Sequence, residues 1–295
     1  MEPARTLARP DGRILAYDDV GDPRGLPLVY LHGTPDSRLA RHPDDGIAAE
    51  LGLRLIAVDR PGAGESDLDP TATLARVGAD VGALLDALGL AEALLLGWSA
   101  GGLFALAAAA GLGERVLAVG LVAPVPPVEA YADATLVASL GPSRRGFVEL
   151  IGEVPAAELA AEVAPYLVPD PIDAAIALEH VLEGAGPVGR AELGEVPGAA
   201  ERLAEALIAS VAGGREGLRL DIERQLEPGL DLTRISAPVR SFHGTEDGVS
   251  PPEVGAWLAS ALPNAVLDRS PGAGHHLLFP RWRGILRAIR RDAQR

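Results

Sequence analysis

Four short apolar runs, none alternating with polar residues, constrain this chain most. They are Pro27 to Leu31, Leu53 to Val58, Ala93 to Leu96 and Val116 to Val122. A strand with one solvated face alternates, whereas an unbroken run of this length suits a strand covered on both faces, as in a parallel sheet. Each run closes on turn residues: His32-Gly33, Asp59-Arg60-Pro61-Gly62, Gly97 and Pro124. Between runs the spacing turns helical. From Thr73 to Leu88, the residues Leu74, Val77, Val81, Leu84, Leu85 and Leu88 fall on one face. Strand alternating with helix predicts a βαβ architecture and a mostly parallel central sheet with helices on both faces. Ahead of it, Arg5 to Asp19 reads as two strands around Pro10-Asp11-Gly12.

The alternation stops near Pro126. It resumes at Val239-Arg240-Ser241-Phe242 and Ala265-Val266-Leu267, and a last helix is expected from about Leu278 to Arg290. In between, only helical segments stand out, at Asp170 to Glu183, Ala199 to Val211 and Gly217 to Leu226. The expected organisation is one α/β core, residues 1–125 and 232–295, interrupted by a helical cap over 126–231. The 295 residues suffice for a core without disulfide or metal.

Composition removes whole classes of chemistry. A net charge of −15 argues against nucleic acid and anionic membrane as partners. All 26 basic residues are Arg, and there is no Cys. Schiff-base catalysis, a thiolate nucleophile, cysteine metal sites and disulfides are therefore excluded. No apolar run reaches the roughly 18–20 residues of a membrane span. The start, Met1-Glu-Pro-Ala-Arg-Thr-Leu, lacks the basic and apolar regions of a signal peptide, so a cytoplasmic location is expected.

The chemistry concentrates at Gly97-Trp98-Ser99-Ala100-Gly101, between an apolar run and the Ala-rich stretch Leu103 to Ala110. A serine on so tight a strand-to-helix turn needs small neighbours, and the helix start favours developing negative charge. Its hydroxyl needs a base, and the base an orienting acid. His275, in the glycine-rich Ser270-Pro271-Gly272-Ala273-Gly274 loop, is favoured over His276. Asp247, just past a strand in His243-Gly244-Thr245-Glu246, is favoured over Glu246. The chain order Ser99, Asp247, His275 fits. Backbone N–H groups of Thr34 and Ala100 are the expected oxyanion donors. Trp98 flanks the nucleophile and is a candidate for the pocket wall, although packing is its commoner role.

The chain resembles the α/β-hydrolase superfamily, in its cap-bearing branch, through His32-Gly33-Thr34-Pro35, Asp59-Arg60-Pro61-Gly62-Ala63-Gly64-Glu65-Ser66 and the serine turn. The likeness covers about residues 5–125 and 232–290. It implies the α/β-hydrolase fold, with Ser99 as nucleophile, His275 as base and Asp247 as acid. A cofactor-independent serine hydrolase is the expectation, cleaving an ester, lactone or related acyl bond of a small, largely apolar molecule through an acyl-enzyme. The same triad would also serve carbon–carbon bond hydrolysis, perhydrolysis or a biosynthetic tailoring step. A receptor using the pocket without turnover is the non-enzymatic alternative. The insertion would form much of the substrate pocket, and its few aromatics (Tyr131, Phe147, Tyr166) with its many Leu, Val and Ala suggest an apolar, medium-sized ligand.

Other patterns count for little. Gly184-Ala185-Gly186-Pro187-Val188-Gly189 fits a dinucleotide fingerprint but follows a helical segment and contains proline, so no cofactor is expected. His42, Asp44 and Asp45 lack metal-ligand spacing, and no metal is expected. His32, Ser66 and Asp67 read as loop-shaping residues.

Overall fold

The computed structural model describes residues 4–294 and contains one eight-stranded sheet. Its strands are β1 (Arg5–Ala8), β2 (Ile14–Gly21), β3 (Leu26–Leu31), β4 (Leu53–Val58), β5 (Ala93–Trp98), β6 (Val116–Val122), β7 (Val239–Gly244) and β8 (Ala265–Ser270). The spatial order is β1-β2-β4-β3-β5-β6-β7-β8. Only the β1–β2 and β2–β4 pairs are antiparallel; the five that follow are parallel. The four apolar runs are the four central strands, buried on both sides. Successive residues of β3 show why they do not alternate in polarity. Val29 and Leu31 enter one apolar cluster, Leu28 and Tyr30 another on the opposite face.

Helices cover the sheet as the alternation requires. They are α1 (Gly46–Glu50), α2 (Leu74–Ala87), α3 (Ala100–Leu112), α4 (Ala134–Ser139), α5 (Pro142–Glu149), α6 (Ala156–Leu167), α7 (Ala174–Gly194), α8 (Ala199–Ser210), α9 (Glu216–Gln225), α10 (Pro252–Ala261) and α11 (Leu278–Asp292). Side chains of α2, α3 and α10 share one cluster, and those of α1 and α11 the other. Thr73 caps α2, its hydroxyl accepting the N–H of Arg76.

Six helices, α4 to α9, lie between β6 and β7. Three were expected there. Prolines punctuate α5 and α6, with Pro142 opening α5, Pro155 just ahead of α6 and Pro165 inside it, and they mask the helical periodicity. Part of this segment has a core of its own, built from Ala160, Ala164, Ala177, Ala204, Leu207, Leu218 and Ile222. The α7 helix runs eleven residues past its expected end at Glu183, bending at Gly186 (φ 63°, ψ −175°). The glycine pattern 184–189 thus sits within a kinked helix rather than at a strand end. Helices α1 and α10 were not foreseen.

Candidate active site

The parallel strands β3, β5, β7 and β8 end at one edge of the sheet, where the loops of open α/β sheets collect functional groups. Ser99 follows β5 directly with φ 53° and ψ −125°, a conformation costing a non-glycine residue about 1–3 kcal/mol. The fold over-determines it. Its N–H donates to the Val122 carbonyl at 2.9 Å, and its carbonyl accepts from Val125 at 2.9 Å. The flanking glycines are sterically required. A Cβ on Gly97 would meet the Gly101 carbonyl oxygen at 2.2 Å, and one on Gly101 the Leu31 oxygen at 2.0 Å.

His275, in the β8–α11 loop, places Nε2 3.1 Å from Ser99 Oγ. Its Nδ1 lies 2.9 Å from Oδ2 of Asp247, which follows β7. The other oxygen of Asp247, Oδ1, accepts the N–H groups of Val249 and Ser250, both at 2.8 Å. Burial acts to raise the Asp247 carboxyl, but His275 and the two amides outweigh it, leaving the group below the usual carboxylate range. Glu246 is exposed and the neighbouring Asp247 buried. His276 points elsewhere. Burial and the charge of His275 push it down to about 3, and its Nδ1 has no hydrogen-bond partner.

Trp98 is buried, with Nε1 donating to the His275 carbonyl at 3.1 Å. Thr34 lies just beyond β3, and its N–H donates to no acceptor among the described residues. Ala100 is the first residue of α3, where N–H groups lack intrahelical partners. His32 is buried, accepting the Arg60 N–H through Nε2. Burial, reinforced by Arg60, holds it well below the usual imidazole range. Ser66 accepts from the Ala16 N–H and donates to the Asp59 carbonyl, so it shapes a turn. Asp67 accepts the N–H of Ile14 at 2.7 Å.

Two further carboxylates reach the site from α7 and α9, and sequence patterns did not single them out. Glu192 accepts the N–H of Gly274 at 2.6 Å and of His276 at 3.0 Å, bracketing His275. Asp221 accepts from Arg60 at 2.7 and 2.8 Å and from the Thr34 hydroxyl at 2.5 Å. Arg60 also donates to the carbonyls of His32 and Gly33, tying the loop after β3 to α9. Partners 161 residues apart leave no local signal. Burial alone would raise the Asp221 carboxyl; Arg60 and Thr34 reverse this and hold it below its ordinary value.

A cleft of about 390 Å³ opens above Ser99. Thr34, Pro35, Asp36, Trp98, Val249, His275 and His276 line it from the sheet side. Tyr166, Leu167, His180, Val181, Gly184, Ala185, Leu203 and Leu207 line it from α6, α7 and α8. Ala100 is buried and is not part of this lining. Of the three aromatics noted in the insertion, Tyr166 lines the cleft, while Tyr131 and Phe147 pack against the apolar cluster that includes α3. Among the described residues no group of three or more His, Asp or Glu side chains is disposed to hold a metal ion. Nor is any helix long and apolar enough to cross a membrane.

Comparison with known proteins agrees with this fold. A family model described as the alpha/beta hydrolase fold matches residues 27–281. A non-heme chloroperoxidase of Streptomyces lividans is 33% identical over 283 residues, covering 92% of this chain and 93% of that protein. A thermophilic esterase from Thermogutta terrifontis superposes with a TM-score of 0.65 at 25% identity, covering 100% of this chain and 99% of that one. Bromoperoxidase from Bacillus anthracis gives 0.72 at 20% identity, with both chains fully covered.

Proposed function

The chain belongs to the alpha/beta hydrolase family, and within it we propose a serine hydrolase that cleaves an ester or lactone of a small, largely apolar molecule. The observation that carries this reading is the linear relay from Asp247 through His275 to Ser99, with separations of 2.9 and 3.1 Å. With Nδ1–H donating to Asp247, His275 Nε2 is free to accept the Ser99 proton as Oγ attacks the carbonyl. The tetrahedral oxyanion takes the N–H groups of Thr34 and Ala100. The alcohol leaves with the proton from His275, and water activated by the same nitrogen releases the acid. Helices α6 to α8 act as the cap that forms the outer wall. The apolar side chains they contribute favour an uncharged acyl or alkyl group.

Labelling with a fluorophosphonate, followed by an ester and lactone panel, tests the reading. Modification at Ser99 with turnover of at least one class supports it; a protein left unmodified at Ser99 refutes it. The chloroperoxidase name of the 33%-identical relative favours a second use of the same acyl-enzyme. Hydrogen peroxide in place of water would give a peracid and free Ser99. Peracid formation from a carboxylic acid and peroxide, lost in Ser99→Ala, checks it.

A further inference from the structure

One polar group of the cleft has no task in the relay. Asp36 lines the wall beside the nucleophile. Its Oδ2 lies 2.8 Å from the point where a Cβ on Gly33 would stand, and Ser99 Cβ is 3.4 Å from that same point. The carboxyl has no hydrogen-bond or ion-pair partner among the described residues. The other polar side chains of the cleft are largely engaged. Thr34 Oγ1 bonds Asp221, Arg60 and Gln225, and His180 Nε2 bonds the Leu167 carbonyl at 3.1 Å. Ser99 and His275 bond each other. No arginine lines the cleft, since the nearby Arg60 is spent on Asp221 and the carbonyls of His32 and Gly33.

We propose that Asp36 is the specificity-determining residue of this site, selecting uncharged acyl compounds with a hydrogen-bonding oxygen near the scissile carbonyl and rejecting carboxylate-bearing ones. The inference rests on the hydrolase reading. An anionic substrate would find no cation to replace its water and would face a second carboxyl, whereas a hydroxyl or carbonyl oxygen would find in Asp36 an unengaged partner beside the nucleophile; the other unengaged polar atom of the lining, His276 Nδ1, is fully buried. Protonation reinforces the selection. Burial pushes Asp36 up to about 8, opposed by Arg60 and aided by Asp221. At neutral pH it is therefore an O–H donor as well as an acceptor. Tyr30 is the remaining titratable neighbour from the sheet, and His180, His275 and His276 line the same cleft.

Three four-carbon methyl esters distinguish the outcomes: methyl butyrate, methyl 3-hydroxybutyrate and monomethyl succinate. Their competition with a fluorophosphonate for Ser99 reads affinity whether or not each is turned over, and ratios between esters cancel any pH dependence of the labelling step itself. The hydroxylated ester is expected to protect about tenfold better than butyrate, the value of one buried hydrogen bond. Monomethyl succinate is expected to protect least, by a margin that widens as pH crosses about 8 and Asp36 ionises. Asp36→Leu brings the first ratio to about one. Asp36→Asn, a neutral isostere with donor and acceptor, keeps that ratio and removes the widening with pH. A retained ratio in Asp36→Leu, or succinate protection equal to that of butyrate at pH 9 in the unmodified protein, overturns the proposal. Absence of labelling at Ser99 overturns the hydrolase reading and this inference with it.

Discussion

Glu192, on α7, accepts the backbone N–H of His276 at 3.0 Å. Its second oxygen holds the N–H of Gly274 at 2.6 Å, so the backbone on both sides of His275 is fixed by one carboxylate. That carboxylate belongs to the helical segment between β6 and β7 rather than to the sheet. The segment therefore does more than wall the cleft: it holds the loop carrying the proposed base. Burial of Glu192 raises its carboxyl, and the two amide donors counteract this.

Removing that clamp should cost both rate and stability. Glu192→Ala leaves two N–H groups without their acceptors, at about 1–3 kcal/mol for each buried donor. We expect kcat per titrated site to fall at least about tenfold, by a misplacement argument, and the unfolding midpoint in urea to drop. Gln at this position keeps one acceptor oxygen and should lie between. Unaltered kcat in the Ala variant would show that the loop holds its own geometry.

For Ser99→Ala, turnover on any hydrolysed ester should fall by about 10³-fold or more while the fold persists. The variant also relieves nothing in the backbone, because Ala carries the same Cβ penalty at φ 53°. A melting temperature close to that of the parent is therefore expected. Rate retention within tenfold would remove Ser99 from its role.

The Arg60–Asp221 pair joins core to insertion and is buried at the Arg60 end. Arg60→Met strands a buried carboxylate, a change that typically destabilises by about 3–5 kcal/mol. The sign of its pH dependence follows from Asp221 lying below its ordinary value. Its stabilisation is fully present above the unfolded value of about 3.9 and is lost as pH falls through the lower folded one. Urea unfolding at pH 7 and pH 3 should therefore show a large difference between parent and variant that shrinks on acidification. A gap constant with pH would mean that packing on Phe104, which the guanidinium covers at 4.4 Å, carries the effect.

Much of this architecture was legible along the chain, and the boundary of legibility has a physical cause. Strands β4 and β6 fall on the residues read from their apolar runs, because burial on both faces writes itself as consecutive Leu, Val and Ala. Ser99, Asp247 and His275 were found through turn chemistry at strand ends, which is local, and the fold brings them within hydrogen-bonding distance. Glu192 and Asp221 were missed. Each sits on a helix amid other acidic residues, and only a contact 82 or 161 residues away distinguishes it. Asp36 was passed over for a similar reason: its neighbours in His32-Gly33-Thr34-Pro35 carried the motif, while its own setting is created by Gly33, Arg60 and Ser99 in space. The helices α5 and α6 escaped because proline at a start or in an interior reads as a breaker, although Pro142 sits in the first turn, where its missing N–H costs nothing.

The Asp247→Asn variant tests the relay at its most constrained point. Oδ1 of Asp247 already accepts two N–H groups, from Val249 and Ser250. An asparagine must keep its carbonyl oxygen there, since turning the amide would set NH₂ against both donors. Its Nδ2 is thereby forced to face His275 Nδ1, 2.9 Å away in the parent. A donor at that point requires His275 Nδ1 to accept, which moves the ring proton to Nε2, the nitrogen facing Ser99 Oγ. The base is then occupied by the proton it should lack. The fold should survive with little change in melting temperature, while kcat falls by about 10⁴-fold, the cost seen when a triad histidine is held in the wrong tautomer. Fluorophosphonate labelling of Ser99 should slow in parallel, because it needs the same deprotonation. Labelling at the parent rate together with slow ester turnover would place the role of Asp247 after acylation and contradict the relay as drawn.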